Sequence, residues 1–242
     1  MVIVEGVRKT FRGVTALDNV SFTAPDGHIT GLIGPNGAGK TTCMRILCSV
    51  LKADAGRVAI DGADLASDRL AAQRRIGVLP DARGLYPRLT AREQIRYYGR
   101  LHGMGGGALE RRIEELTESL AMEEVIDRRC KGFSRGQSLK VSLARAMVHD
   151  PHNLLLDEPT NGLDVSSSRA MRRLIRELRE RGRCVLFCSH IMSEVAALCD
   201  RLIVLARGRV AAEGSPDELR SLAGKNDLEE VFMTLTGTSL VV

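Results

Sequence analysis

The chain has no tryptophan, and aromatic residues make up only 3% of its 242 positions. Stacking of nucleic-acid bases on aromatic side chains is therefore disfavoured as a mode of action. No apolar run approaches the 18 or more residues that a spanning helix requires, so any work at a membrane needs a second, spanning protein. The opening "MVIVEGVRKTF" is too short and too polar for a secretory leader. The six cysteines (Cys43, Cys48, Cys130, Cys184, Cys188, Cys199) form no CxxC pair, which removes the usual zinc and redox spacings. Most lie in apolar runs such as "CVLFC", where a reduced thiol behaves as a small hydrophobe. Internal repeats and low-complexity tracts are missing as well.

What is present suits a soluble domain with a sizeable core. Apolar residues reach 44% and charged residues 27%, and the length allows one large domain or two lobes. The net charge of +5 is concentrated. Residues 83–150 hold thirteen Lys and Arg against nine Asp and Glu; the remainder holds twenty-two against twenty-one. A solvated helical surface accounts for this surplus, and the sign alone selects no partner among nucleic acid, phosphorylated ligands and anionic membrane.

Short apolar runs punctuate the chain: "VIVEGV", "VSFTA", "HITGLIG", "RVAI", "RIGVL", "NLLLD", "CVLFCS" and "RLIVLA". Several are continuously apolar, as expected of parallel strands covered on both faces, and helical patterns separate many of them. From Thr90 to about Val148 only helix signals occur. Thr90 and Glu93 have capping-box spacing, Leu109, Ile113, Leu116 and Leu120 fall on one face, and "MGGG" at 104–107 reads as a flexible joint. The predicted architecture is an α/β core with a mostly parallel sheet, an antiparallel β part near the N-terminus and an inserted helical lobe. The predicted divisions are 1–82 with 151–220 for the core, 83–150 for the lobe and 221–242 for a C-terminal helical tail.

Residues 34–41 read GPNGAGKT, a complete G-x-x-x-x-G-K-[ST] between a strand and a helix. Gly34, Gly37 and Gly39 let the backbone curl so that N–H groups point at phosphate oxygens, with Pro35, Asn36 and Ala38 completing the loop. The following helix adds its positive end. Lys40 reaches the β- and γ-phosphates, Thr41 offers a hydroxyl to Mg²⁺, and Thr42 adds one near the α-phosphate. A chance glycine-rich turn is the competing reading, and the strand–loop–helix context makes it a poor one. "NLLLDEP" supplies the acids such a loop needs: Asp157 for the metal and Glu158 to polarise the attacking water. Two acids after a strand can also be simple helix-capping material.

With these elements the chain resembles the ATP-binding subunits of ABC transporters over nearly its whole length, with the motifs in the family's order. "TNGLD" at 160–164 is similar to the D-loop, "SH" at 189–190 to the switch histidine, and "FSRGQ" stands where the LSGGQ signature belongs. The resemblance implies a P-loop ATPase using ATP and Mg²⁺, with two subunits packed head to tail, a homodimer being the simpler expectation. Each ATP would lie between the P-loop of one subunit and the signature of the other. Ser134, Arg135, Gly136 and Gln137 then border the γ-phosphate from across the interface, His190 contacts it, and Asp164 aligns the two sites. Phe11 in "KTFRG" matches the adenine-stacking aromatic, although a lone Phe is more often core. The other histidines (His28, His102, His149, His152) read as structural.

Three positions depart from the family pattern. Asp81 stands where the family has a Q-loop glutamine; it can still ligate Mg²⁺ but cannot donate an amide hydrogen bond. Arg135 replaces the first signature glycine and reads as a working variant. Asn153 interrupts the apolar run before Asp157, read as a strand-start effect. The stretches "GLYPRLTAREQIRYYGRLHG" and "LEEVFMTLTG" are similar to subunits of ABC-2-type exporters, including the NatA-type branch. That implies a cytoplasmic protein, peripheral on the membrane through a separate permease that meets residues 84–89. No nucleic-acid partner is expected. The rival readings are a non-transport ABC ATPase acting on nucleic acid or ribosomes, a regulator without turnover, and a P-loop kinase or GTPase. Tandem ATPase halves or coiled-coil arms would mark the first, and this chain shows neither; the signature and D-loop argue against the last.

Overall fold

The computed structural model describes residues 1–81 and 84–237. The lobe boundary expected at 83 and the last five residues of the expected tail lie outside the described residues. Two sheets form the scaffold. The smaller one is antiparallel, in the order β2 (Val14–Ala24), β1 (Val2–Phe11), β4 (Ala55–Ile60), β5 (Ala63–Asp64). The larger has six strands, in the order β10 (Arg209–Gly214), β9 (Arg201–Ala206), β3 (Ile29–Ile33), β8 (Cys184–Cys188), β7 (Asn153–Asp157), β6 (Ile76–Leu79). It is parallel except for the β9–β10 hairpin.

Three hairpins close on two-residue turns with a shared chemistry. Arg12-Gly13, Asp61-Gly62 and Arg207-Gly208 all have positive φ at both residues (46° and 87°, 47° and 82°, 49° and 76°). That is the type I′ geometry whose twist matches the flanking strands, and glycine takes its second place without strain. The first turn starts β2 at Val14, well before the expected "VSFTA". The early half of β2 was masked in the sequence by polar residues and by register shifts along its pairing with β1.

Apolar residues of the central strands alternate between two cores, as a period of two dictates. Leu154, Leu156, Val185 and Phe187 face a cluster shared with the helices. Leu155, Leu186, Ile203 and Leu205 face the antiparallel sheet and α1 (Lys40–Leu47). Full burial of each such side chain stabilises the fold by about 1.5–3 kcal/mol. The helical layer contains α2 (Arg69–Arg74), α3 (Ala91–Leu101), α4 (Gly106–Ser119), α5 (Arg135–Met147), α6 (Val165–Glu180), α7 (Met192–Leu198), α8 (Pro216–Ala223) and α9 (Leu228–Thr236). Ile95, Ile113, Leu139 and Val148 join the same cluster as the sheet residues, so these helices share their core with the larger sheet.

Several local expectations need correction. Gly105 is the N-cap of α4 and Gly106 and Gly107 are already helical, so the joint at 104–107 is shorter than the glycine run suggests. Helix α8 spans the boundary expected at 220/221. Asn153 is fully buried and does more than start a strand: its Nδ2 donates to Asp61 Oδ2 at 2.7 Å and to the Arg75 carbonyl at 3.1 Å. All six cysteines are free thiols. Burial pushes Cys43, Cys48 and Cys184 up to about 12 and raises Cys188 and Cys199 as well, which keeps them as inert hydrophobes.

His102 and His149 stack with ring centroids 3.5 Å apart, where α3 ends beside the end of α5. Burial, aided by His102, lowers the His149 pKa from 6.5 to about 4; Arg112 lowers it further, and Asp150 and the Ile76 carbonyl oppose. The folded state therefore holds His149 neutral while the unfolded chain protonates it. Stability present above pH 6.5 is lost as pH falls toward 4. The thermal midpoint, followed by circular dichroism, should drop over that window, and His149→Gln should flatten the drop.

Candidate functional site

The carboxyl ends of β3, β6, β7 and β8 lie side by side, and the chain leaves each of them toward one crevice, the usual place for a ligand in an open parallel sheet. From β3 it enters the glycine loop. A Cβ on Gly34 would lie 2.4 Å from the Leu205 carbonyl oxygen, and one on Gly39 2.6 Å from that of Ala16. Gly39 also has φ 106°, so backbone crowding and conformation both demand glycine there. Helix α1 then opens with no side-chain cap and no acid in its first turn, whereas α3, α5 and α8 each carry a capping box. Its leading N–H groups are thus unclaimed by side chains, the arrangement that suits an anion. Lys40 Nζ donates to the carbonyls of Gly34 at 2.5 Å and Pro35 at 3.1 Å, which holds it over the loop.

The acids come from the neighbouring strands. Asn36, Lys40, Thr41, Asp81, Asp157, Glu158 and His190 line one cavity of about 740 Å³. Burial, reinforced by Glu158 and Asp81, raises the Asp157 pKa, while Lys40 and the Cys188 thiol oppose. Glu158 has φ 47°, uncommon for a residue with a side chain, and its N–H donates to the Cys188 carbonyl at 2.9 Å. Its Oε1 accepts a hydrogen bond from His190 Nδ1 at 2.8 Å. Its Oε2 is buried with no hydrogen-bond partner among the described residues, which is costly unless a ligand or water uses it. Because an ionised carboxylate only accepts, Nδ1 of His190 carries the proton and Nε2 is the nitrogen left for a substrate.

The hard oxygen donors Thr41, Asp81 and Asp157 on one cavity, with Asp157 made costlier to ionise there, fit a divalent cation such as Mg²⁺. Among the described residues the tightest acid and histidine set is elsewhere. Asp26, Asp61 and His152 bring ligand atoms within 4.8 Å of one another near the start of β7, the far end from Asp157, and the Met1 ammonium pairs with both aspartates.

The remaining expected residues lie outside the cavity. Ser134 caps α5, accepting from the Gln137 N–H at 3.1 Å while Gln137 Oε1 accepts from the Ser134 N–H at 3.0 Å. Ser134 and Arg135 are exposed, and Gly136 borders a separate cleft against α6. Asp164 caps α6, accepting from the Ser167 N–H at 2.7 Å and the Ser166 hydroxyl at 2.8 Å; these bonds, the Ser167 N–H first, hold its carboxyl below the usual range. Phe11 is 44% exposed at the tip of the β1–β2 hairpin, under the Lys9 ammonium at 5.4 Å, and is not a core residue. Thr42 is half-buried in the first turn of α1.

Sequence reasoning missed Tyr98, Arg145 and Asn161, which also line the cavity. The Arg145 guanidinium lies 4.1 Å from the centre of the Tyr98 ring, and Nη1 donates to the Gly84 carbonyl at 3.2 Å. Gln94, fully buried, accepts from the Tyr86 N–H at 3.1 Å and donates to the Tyr86 carbonyl at 3.3 Å. Only Asn161, inside "TNGLD", carried a readable signal; the others are joined to the cavity by folding alone.

The family profile described as ABC transporter matches residues 17–161. The ABC transporter ATP-binding protein NatA of Bacillus subtilis (strain 168) is 41% identical over 222 residues, covering 91% of this chain and 90% of that protein. The Nod factor export ATP-binding protein I of Bradyrhizobium diazoefficiens is 39% identical over 214 residues, covering 88% and 70%. A dimeric post-hydrolysis structure of the ATP-binding cassette MJ0796 with ADP and Pi superimposes with a TM-score of 0.80 at 28% identity, covering 89% of this chain and 98% of that one. A glycine loop over an uncapped helix, acids at the end of the adjoining strands and this breadth of similarity lead to one assignment: the chain belongs to the ABC transporter family, as one of its ATP-binding domains.

Proposed function

We propose that the chain binds ATP with Mg²⁺ in the crevice above β3 and β7, hydrolyses it, and thereby drives a separate membrane permease of an export system. The observation that carries this reading is the Glu158–His190 hydrogen bond beside a buried, unpartnered carboxylate oxygen, in the cavity that also holds Lys40. Lys40 and the loop N–H groups bind the β- and γ-phosphates. Glu158 Oε2 accepts a proton from the attacking water, and His190 fixes the carboxylate through Oε1. Thr41, Asp81 and Asp157 hold Mg²⁺, which supplies neutralisation of the phosphate charge.

Ser134, Gly136 and the start of α5 act on a nucleotide held by a second chain, head to tail, with Asp164 at the junction. The exposure of Ser134 and the place of Gly136 on a separate cleft, both away from this chain's own phosphate cavity, support that role. Phe11, exposed on the hairpin beside the loop, stacks on the adenine. Hydrolysis removes the contacts that the γ-phosphate makes with both chains, and the pair opens.

No helix among the described residues is long and apolar enough to cross a membrane. The permease docks near residues 84–89, where Tyr86 is 49% exposed and packs edge-on against Tyr97, with Leu101 exposed on the same helix. Residues 1–82 with 151–220, the segment 83–150 and the tail from 221 serve as ATPase core, signature lobe and C-terminal support in this reading. The purified chain should release phosphate from ATP only with Mg²⁺, and a tagged chain should bring down a membrane protein with spanning helices. Co-purification of RNA or ribosomes in its place would overturn the transport reading.

A further inference from the structure

A second side-chain hydrogen bond ties together the two segments that carry Glu158 and His190. The chain leaves β7 through Glu158, Pro159 and Thr160, and leaves β8 through Ser189, His190 and Ile191 into α7. At the strand ends the Glu158 N–H donates to the Cys188 carbonyl at 2.9 Å. Beyond that point two side-chain bonds cross between the segments. His190 Nδ1 donates to Glu158 Oε1 at 2.8 Å, and the Thr160 hydroxyl donates to Glu194 Oε2. Residues 158–160 and 190–194 thus form a closed ring, with one bond on each side.

The two bonds differ in setting. The side chain of His190 is 60% exposed, so its bond to Glu158 competes with water and holds little by itself. Thr160 and Glu194 are buried, at 3% and 8% exposure, where water does not replace a lost partner. Glu194 also stands on a fixed element, because Val195 and Leu198 of α7 belong to the core cluster. Glu158 needs bracing, since its φ of 47° persists only where the surroundings impose it. The hold continues past Thr160. Its carbonyl accepts from the Leu163 N–H at 3.1 Å, which closes a turn around Asn161 on the phosphate cavity.

We propose that Glu194 is a positioning residue: through the Thr160 hydroxyl it holds the segment after β7 so that the Glu158 carboxylate meets His190 Nδ1. Neither Glu194 nor Thr160 lines the phosphate cavity, so both act on geometry and not on nucleotide. The consequence for turnover rests on the ATPase reading above; the bracing of His190 does not.

The test reads the His190 ring in the nucleotide-free full chain, by NMR of its ring nitrogens. His190→Gln identifies its signals among the five histidines. Spectra are taken at about pH 8, above the ordinary histidine range. The wild-type ring should hold one tautomer, with the proton on Nδ1. Thr160→Val and Glu194→Met each remove one side of the buried bond, so either suffices should the other not fold. Each should release the ring into a mixture of both tautomers, and the double change should add nothing. Thr160→Ser, which keeps the hydroxyl, should keep the single tautomer. In MgATP turnover Thr160→Val and Glu194→Met should each lower kcat by about tenfold, with the Kd for ATP within about twofold of wild type. A single Nδ1–H tautomer retained in the folded variants would overturn the proposal, and a loss of kcat without a change of tautomer would leave the bond as a general support of the fold. Tautomer mixing in a chain that hydrolyses no ATP would keep the bracing and reject the ATPase reading.

Discussion

Glu158→Gln leaves ATP bound and phosphate release nearly gone, with kcat down by about 10²–10⁴-fold, the range spanned by loss of a general base. The change is close to isosteric. The glutamine oxygen still accepts from His190 Nδ1, so the 2.8 Å contact that holds the side chain survives. What disappears is the basic oxygen at Oε2, the atom buried without a hydrogen-bond partner among the described residues. ATP affinity should stay within a few-fold of wild type, because Lys40 and the loop are untouched. A coupled phosphate-release assay with a parallel binding isotherm separates the two effects. Unchanged hydrolysis in this variant would remove Glu158 from the mechanism, and lost binding would mean that it acts on ground-state affinity.

Lys40→Ala acts at the earlier step. In the structure the Lys40 ammonium bonds to the carbonyls of Gly34 and Pro35. On binding, those bonds are exchanged for charge-assisted ones to phosphate, each contributing about 1.5–3 kcal/mol. Losing two of them raises the Kd for ATP by at least about 100-fold, as calorimetry would read it. The fold should persist, since Lys40 is only half-buried and the loop is held by glycine conformations and by the Gly208 N–H donating to the Ala38 carbonyl at 3.1 Å. Retained micromolar affinity in Lys40→Ala would count against the phosphate loop.

The site was legible in the sequence wherever its chemistry is contiguous. A phosphate loop needs several backbone N–H groups in a row, and a strand-end acid pair needs an apolar run before it, so GPNGAGKT and "NLLLDEP" announce themselves. A helix was expected to follow Ser134, and the Ser134–Gln137 capping box that starts α5 is a local pattern of that kind. Tyr98 and Arg145 stayed hidden because their role depends on a ring–guanidinium contact between two helices, α3 and α5, 47 positions apart in the chain. That Asp81 and Arg135 line one cavity was hidden for the same reason. Each residue stood out singly as a departure, and only the packing of α5 beside the end of β6 places them on one cavity.

The fold followed a similar rule. Continuously apolar strands were readable, including the edge strand β6, while the short or polar edge strands β5 and β10 were not. β10, "RVAAEG", has little apolar alternation and forms because the Arg207-Gly208 turn returns the chain against β9. The glycines at 105–107 misled in the opposite direction: flexible in isolation, they are recruited into α4, whose Leu109 and Ile113 anchor it in the core.

The central claim is that nucleotide is held between two chains, by Lys40 of one and Ser134 of the other. Its most direct test is the solution mass of the Glu158→Gln chain with and without ATP, by light scattering. The account predicts 26.4 kDa without nucleotide, twice that mass with ATP at one nucleotide per chain, and a return to 26.4 kDa when Ser134→Arg is added. A 26.4 kDa particle that is saturated with ATP would contradict it.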